Sequence, residues 1–164
     1  MDNILNDIST LTPLGWKEWV SFPDWEIDYI KAKVDTGAQT STLHAEEMTI
    51  FNIDKKIMVK FKIYPWQNNK ENGKEVTTEV ITFRKIRSSS GCLEKRPVIK
   101  TTISVADKTF ETELTLTNRQ LMGFRMLIGR RTLDKKFVIT TAKSCLGKKA
   151  PKNIIKSNNR SSCK

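Results

Sequence analysis

Apolar and polar residues alternate in short runs along most of the chain, and this pattern predicts β-strands. Ile30, Ala32 and Val34 alternate with two lysines, as expected of a strand that buries one face. The same period runs through residues 56–63, and a polar loop containing Asn-Gly separates that strand from a second one over 75–86. Residues 56–86 are therefore predicted to form a hairpin.

The second half of the chain shows the same kind of pattern. Two strands are predicted over 98–105 and 109–117, joined by a turn at 106–108. A helical turn is predicted over 118–123, and residues 137–141 are predicted to form the last strand. Because no segment shows a convincing period of 3.6 residues, the fold class is predicted to be all-β with at most one short helix.

The length of 164 residues favours a single domain. Residues 1–11 are predicted to be a flexible arm, residues 12–142 the domain, and residues 143–164 a basic, disordered tail whose removal leaves folding intact. The net charge is +11, but seven of the 29 basic residues and none of the 18 acidic ones lie in the tail. The tail therefore carries most of the excess charge. We predict at most a weak contact of this tail with nucleic acid or a ribosome.

The remaining composition argues against metal, nucleotide and membrane binding. Cys92, Cys145 and Cys163 are widely spaced and His44 is the single histidine, so the sequence has no zinc-ligand spacing. It also has no glycine-rich phosphate loop and no apolar run of membrane-spanning length. We therefore predict a cytoplasmic protein with reduced thiols, no metal, no cofactor and no membrane contact.

The strand that ends at Val34 leads into Asp35, Thr36 and Gly37, a candidate catalytic loop. Glycine permits a tight turn or a close approach, and a carboxylate on such a turn is held rigidly, as a catalytic group requires. An ordinary Asp-Thr-Gly turn without catalytic function is the other interpretation. The tripeptide alone leaves both open.

A second segment, Met126–Leu133, is an apolar run that passes into Gly129 and Arg130. Together with the stretches GWKEWV, KAKVDTGAQTSTLHA, SSSGCLEKRPVI and LTLTNRQLMGFRMLIGRRTL, it resembles a bacterial retropepsin-like aspartic peptidase family. This family is often labelled "ATP-dependent zinc protease", and its genes commonly accompany those of ATP-grasp glutamate ligases. The resemblance covers roughly residues 12–142, with one departure at Gln39, where the family usually has arginine.

The resemblance implies a closed retropepsin-like β-barrel and an aspartic-type endopeptidase that acts on a peptide or protein substrate. It implies that Asp35, Thr36 and Gly37 are catalytic. Because the chain has a single Asp-Thr-Gly, it also implies a homodimer in which two Asp35 side chains meet. The residues implied to form a substrate-binding flap are Ser89, Ser90, Gly91, Glu94 and Arg96, and those implied to support the loop are Ala38, Thr40, Ser41, His44, Gly129 and Arg130.

Two other functions stay open at the level of the sequence. A non-catalytic β-barrel module would bind a ribosome, RNA or an acidic peptide, with Asp35 only holding a turn. A zinc-dependent hydrolase follows from the family label alone, since the sequence contains no zinc-ligand spacing.

Overall fold

The structure is a computed structural model that describes residues 8–88, 90–118 and 123–160. These ranges are mostly β, which confirms that part of the predicted fold class. The strands are β1 (Thr12–Leu14), β2 (Lys17–Phe22), β3 (Ile27–Val34), β4 (Ser41–His44), β5 (Glu46–Ile53), β6 (Lys56–Ile63), β7 (Lys74–Glu79), β8 (Thr82–Arg87), β9 (Leu93–Val105), β10 (Lys108–Thr117), β11 (Met126–Ile128) and β12 (Phe137–Ile139). The helices are α1 (Arg130–Leu133) and α2 (Lys152–Asn159), with a 3-10 turn at Pro23–Trp25.

A seven-stranded sheet carries the Asp35 loop. Its strand order is β10-β4-β11-β3-β2-β9-β8, and β9 also pairs with β10. Six of these strands therefore follow one another in a ring of pairings, β2, β3, β11, β4, β10 and β9, while β8 extends from β9. The predicted closed barrel stays a prediction. Two smaller sheets, β1-β12 and β5-β6-β7, complete the strands of the described ranges.

The hydrophobic core lies on one face of this sheet, as the alternating pattern requires. Ile30 and Ala32 are fully buried and Val34 nearly so, while the side chains of Lys31 and Lys33 lie on the opposite face of β3. The inward residues of β4, β10 and β11 meet them in the same core. Burying each large aliphatic side chain contributes about 1.5–3 kcal/mol, so this face fixes which side of each strand is outside.

The predicted strand over 75–86 is wrong as a single element, because the chain changes sheets in the middle of it. Val80 donates its backbone N–H to Ile57 on β6, whereas Ile81 donates to Val98 on β9. β7 therefore pairs with β6 as expected, and β8 forms a second hairpin with β9. A one-residue switch between partners leaves no break in the hydrophobic pattern that would signal it.

The expectation of at most one short helix is also wrong, since both α1 and α2 lie in the described ranges. α2 is short and mostly polar, so its sequence has no apolar stripe to signal a helix. Hydrogen bonds from the 67–69 loop hold it in place. The side-chain amide of Asn69 donates to the carbonyls of Ser157 and Arg160, both at 2.9 Å. Residues 119–122 of the predicted helical turn lie outside the described residues.

The segment before α2 is anchored by Glu18, a carboxylate that is completely buried. Its oxygens accept backbone N–H bonds from Gly15 at 2.7 Å, Leu146 at 2.9 Å and Gly147 at 3.1 Å. Gly15 packs so closely that an added Cβ would lie 2.5 Å from the carbonyl oxygen of Lys143. The prediction of a disordered tail is therefore wrong for residues 143–160. No helix in the described ranges is long and apolar enough to cross a membrane.

We expect a chain that ends at Ala142 to be less stable than the full chain by about 3 kcal/mol, because Glu18 loses two of its three backbone donors. The free energy of unfolding from urea denaturation measures the effect. A chain that ends at Arg160 is the control, since it keeps both donors and should unfold like the full chain. Equal stability of the Ala142 chain and the full chain would contradict the anchoring role of Glu18.

Candidate active site

The Asp35 loop connects β3 to β4, and backbone hydrogen bonds attach it to the segment β11–α1. Asp35 donates its backbone N–H to Ile128 at 2.9 Å, and Arg130 donates its own to Ala38 at 2.9 Å. β11 runs parallel to β3, with Val34 opposite Ile128. The structure thus brings together the two motif segments that the sequence places far apart.

The Asp35 carboxylate is partly exposed and is oriented by its own loop. Its Oδ1 atom accepts the backbone N–H of Gly37 at 3.0 Å and that of Ala38 at 3.3 Å. A Cβ at position 37 would lie 3.2 Å from Oδ1, so a glycine there leaves room for the carboxylate. Both of these bonds go to Oδ1, and Oδ2 is the oxygen that we expect to face water or substrate.

Arg130 braces the loop through its side chain as well as its backbone. Its Nη1 atom donates to the carbonyl oxygens of Thr36 at 2.9 Å and Gly37 at 3.1 Å. These bonds fix the two peptide planes that follow the carboxylate. Thr36 contributes its carbonyl oxygen to this arrangement, and its side chain lies in an exposed position at the tip of the loop.

Gly129 allows the supporting segment to reach the backbone of the loop. A Cβ at this position would lie 2.6 Å from the carbonyl carbon of Thr40, far inside contact distance. The Gly129 N–H donates to the hydroxyl of Ser41 at 2.9 Å. That hydroxyl is 2.6 Å from the Thr132 hydroxyl, which lies 2.9 Å from the Thr112 hydroxyl. Gly129, Thr40 and Ser41 were predicted from the sequence, whereas Thr132 and Thr112 were not. Thr132 follows Arg131 and Thr112 stands between two glutamates, so neither neighbourhood indicates a buried hydroxyl.

An open cleft of about 1220 Å³ lies between the Asp35 loop and the β8–β9 hairpin. Of the predicted flap residues, Ser90, Glu94 and Arg96 line this cleft. Gly91 lies in the turn of the hairpin with a φ of 85°, a left-handed conformation that favours glycine. Ser89 lies outside the described residues. The hairpin and the Asp35 loop thus line the same cleft, and the flap role of the hairpin stays a prediction.

The wall formed by the hairpin is strongly basic. Arg84, Lys85, Arg87 and Arg96 line it, and Lys33 lines the opposite wall. None of these except Arg96 was predicted to be a site residue, although three of the six residues in Thr82–Arg87 are basic.

The acids at this wall do not balance its charge. Asp35 and Glu94 are the acidic residues that line the cleft within the described ranges. Glu94 is already paired with Arg96 at 2.7 Å and accepts the Thr117 hydroxyl at 2.8 Å, and Glu113 pairs with Arg84. A cleft with this excess of positive charge attracts an acidic ligand.

His44 lies away from the Asp35 loop, in a buried cluster of charged groups. Its Nε2 atom is 2.9 Å from Glu46, which also pairs with Lys70 and lies 3.7 Å from Arg125. Burial lowers the pKa of His44 below its usual value, and the nearby Arg125 lowers it further against the opposing hydrogen bond to Glu46. Burial would raise the pKa of Glu46, but its hydrogen bonds to Lys70 and His44 outweigh that effect and lower it. His44 does not line the cleft, so its predicted supporting role stays a prediction.

The described residues contain no group of three or more His, Cys, Asp or Glu side chains that could hold a metal ion. The two cysteines within these ranges, Cys92 and Cys145, are unpaired. Cys92 is exposed in the turn of the β8–β9 hairpin, and Cys145 is partly buried beside β2.

Comparison with known proteins gives the site a context. The family model described as RimB-like, "Retropepsin-like aspartic endopeptidase RimB", matches residues 13–150. This range contains the Asp35 loop, the β8–β9 hairpin and the β11–α1 segment. It also includes residues 143–147, which Glu18 ties to the sheet.

Among curated proteins, the chain is similar to three described as "Probable alpha-L-glutamate ligase". It is 40% identical over 137 residues to that of Shewanella pealeana, 41% over 135 residues to that of Shewanella halifaxensis, and 40% over 132 residues to that of Desulfotalea psychrophila. These matches cover 80–83% of this chain but only 28–30% of the relatives. The chain therefore spans less than a third of the length of the curated relatives it matches.

A solved structure has the same overall arrangement. The crystal structure of protein Lpg0085 from Legionella pneumophila, described as being of unknown function, matches with a TM-score of 0.70 and 25% identity. The match covers 84% of this chain and 98% of the other.

We expect Gly129→Ala to destabilise the protein by about 1–3 kcal/mol, because its Cβ would overlap the backbone of Thr40 and push the Asp35 loop away from β11. Gly123→Ala is the matched control, since a Cβ there has no heavy atom within 4 Å. Thermal and urea unfolding of both variants check this. Equal stability of the two variants would show that the Asp35 loop can move away from β11 without a loss in the free energy of unfolding.

The His44 cluster predicts a loss of stability in mild acid. The folded-state pKa of His44 lies below 6.5. The stability that its neutral, buried side chain contributes is therefore fully present above pH 6.5, and it is lost as the pH falls through the lower, folded-state pKa. The free energy of unfolding should therefore fall by up to about 1.4 kcal/mol per pH unit below 6.5. Glu46, with a folded-state pKa below 4.5, adds to the loss only at lower pH. His44→Gln should flatten the profile between pH 7 and 5, and an unchanged profile would contradict this.

Proposed function

This chain belongs to the RimB-like family of retropepsin-like aspartic endopeptidases, and we propose that it hydrolyses peptide bonds with two Asp35 carboxylates, one from each subunit of a homodimer. The observation that carries the proposal is the Asp35 loop itself. A glycine-containing turn orients the carboxylate, Arg130 and Gly129 brace the turn, and a wide cleft opens above it. An ordinary surface turn has no need of such support from a distant segment.

The chemistry requires two carboxylates that share one proton. The ionised Asp35 removes a proton from a water molecule, whose oxygen attacks the carbonyl carbon of the substrate. The protonated Asp35 gives its proton to the carbonyl oxygen, which yields a tetrahedral gem-diol intermediate. Collapse of this intermediate breaks the C–N bond as the amine nitrogen gains a proton, and the carboxylates return to their shared-proton state.

A single chain lacks half of this pair, which is why the proposal includes a dimer. One carboxylate cannot act as the base and as the acid in the same step. Two such groups held together cannot both ionise easily, so the pair supplies acid and base from identical residues. The exposed position of Thr36 at the loop tip fits a proposed contact with the partner subunit across the two-fold axis.

We propose acidic peptides, rich in glutamate, as the substrates. On the β8–β9 hairpin, Lys85 lines the cleft and lies opposite Lys95 across the strands, and like charges in such positions are destabilising. An acidic ligand in the cleft would offset that cost. The relatives described as probable alpha-L-glutamate ligases are consistent with glutamate as the substrate residue.

The β8–β9 hairpin is proposed to be the flap that covers this substrate. Ser90, Glu94 and Arg96 already line the cleft, and closure over a bound peptide would exclude water from the reacting carbonyl. Gly91, with its left-handed backbone, would allow the turn to change shape as it closes.

We expect Asp35→Asn to reduce hydrolysis of an oligoglutamate peptide by at least about 100-fold, because a neutral amide cannot act as the base. Asp54→Asn, on the exposed turn between β5 and β6, is the control with the same charge change and should retain full activity. Specific activity of the wild type should rise with protein concentration through the dimer dissociation constant.

Mixing the wild type with an excess of the Asp35→Asn variant should suppress activity further, once subunits exchange into heterodimers. Product formation is followed by mass spectrometry, and the oligomeric state by analytical ultracentrifugation. Full specific activity in a demonstrably monomeric sample would contradict a dyad formed by two subunits, and with it the proposed mechanism. Peptide binding without any turnover in wild type would favour the non-catalytic binding module.

A further inference from the structure

The outer face of β2 and β3 carries a group of lysines that the mechanism does not use. Lys17 lies opposite Lys33, and Trp19 lies opposite Lys31, across the antiparallel pair. These side chains share the sheet face that points away from the core. We call Lys17, Lys31, Lys33 and the nearby Lys148 the lysine face.

Aromatic rings hold three of these ammonium groups in position. The Nζ atoms of Lys17, Lys31 and Lys148 lie 4.6, 5.3 and 4.6 Å from ring centroids. The rings belong to Trp16, Trp19 and Tyr29, respectively. Such contacts orient a cation without neutralising it, so the charge stays available to a ligand.

The lysines of β6 differ from the lysine face, because each is paired with a carboxylate. On β6, Lys56, Lys60 and Lys62 each contact a glutamate, at 2.8, 2.8 and 2.6 Å. In the part of the chain that the structure describes, no carboxylate lies within 4 Å of an ammonium group of the lysine face. Glu18 lies on β2 itself, but it points to the opposite side and is occupied by backbone donors.

This arrangement also leaves like charges facing each other. Like charges directly opposite each other on neighbouring strands are destabilising, and Lys17 opposite Lys33 is such a pair. Burial and the charge of Lys17 together lower the pKa of Lys31, as expected of a cation without a counter-ion. An anion that binds here would relieve both effects.

The lysine face is continuous with the cleft. Lys33 belongs to both, since it lines the cleft two residues before Asp35 and also lies opposite Lys17. An extended acidic peptide places the carboxylates of alternate residues about 6.6–6.8 Å apart on one side, which is the spacing of Lys31 and Lys33 along β3. The face therefore offers positive charge at the repeat of such a chain.

We propose that the lysine face is an exosite that binds the acidic chain of the substrate where it leaves the cleft. The exosite proposal rests on the proposed function. It extends the length of substrate that the protein contacts beyond the cleft. A nucleic acid fits the face less well, because its bases need exposed rings for stacking. Trp19 is only 3% exposed, and Lys148 covers the ring of Tyr29. Trp16 is 38% exposed, but the ammonium group of Lys17 lies over its ring and Phe124 packs edge-on against it.

The test uses fluorescein-labelled oligoglutamates of about four residues, which fit the cleft, and of about twelve, which extend some 40 Å. In the Asp35→Asn background, Lys17→Gln combined with Lys31→Gln should raise the Kd of the long peptide by about 5-fold. The Kd of the short peptide should not change. In the wild-type background, the same pair should raise KM for the long peptide by a similar factor and leave kcat unchanged.

Lys56→Gln combined with Lys60→Gln removes the same charge from a surface where both lysines are paired, and it should change neither Kd. Equal weakening of both peptides, or an equal effect of the control pair, would overturn the exosite, because the effect would then be general electrostatics. Single-stranded RNA that competes with the long peptide through Lys17 and Lys31 would overturn the assignment to a peptide. Because the Kd is measured without turnover, a failure of the proposed hydrolysis is separate from a failure of the exosite.

Discussion

The close packing of Gly129 against the backbone of Thr40 is the contact on which the site depends. Only a hydrogen atom fits between the two segments there, and any Cβ would reach the Thr40 carbonyl carbon. That closeness lets the Gly129 N–H reach Ser41, and it lets Arg130 donate from both backbone and side chain to the Asp35 loop. The turn itself orients the carboxylate through the N–H groups of Gly37 and Ala38, and a segment far away in sequence holds that turn in place.

Charge is distributed over this scaffold in two distinct ways. On the β5-β6-β7 sheet, the lysines of β6 face glutamates on neighbouring strands, which neutralises the surface. Around the cleft and on β2 and β3, lysines instead lie opposite one another, as Lys85 does with Lys95 and Lys17 with Lys33. The net positive charge of the body is therefore not spread at random, and the unbalanced part surrounds Asp35. Like charges in such positions cost stability, and the proposed acidic substrate would offset that cost.

How much of this was accessible from the sequence depends on whether a feature has a local signature. The strand before Asp35 was predictable because Ile30, Ala32 and Val34 repeat with the period of a strand. The proximity of Gly129 to the loop followed from a two-part motif, and the buried contact explains why both parts are needed. The switch between Val80 and Ile81 and the docking of residues 143–160 left no such signature. Both depend on partners distant in sequence: Ile57 and Val98 for the first, and Glu18 and Asn69 for the second.

The proposed homodimer gives the lysine face a further consequence. A two-fold axis between two Asp35 loops places one lysine face on each side of the shared cleft. A peptide has a direction and the dimer does not, so the two ends of one acidic chain would meet identical surfaces. Such a site favours neither end of the chain by charge alone, and it holds the middle of a long acidic segment over the carboxylates. Preference for an internal bond over a terminal one then follows from symmetry and substrate length, because only a chain long enough to reach both faces gains from both.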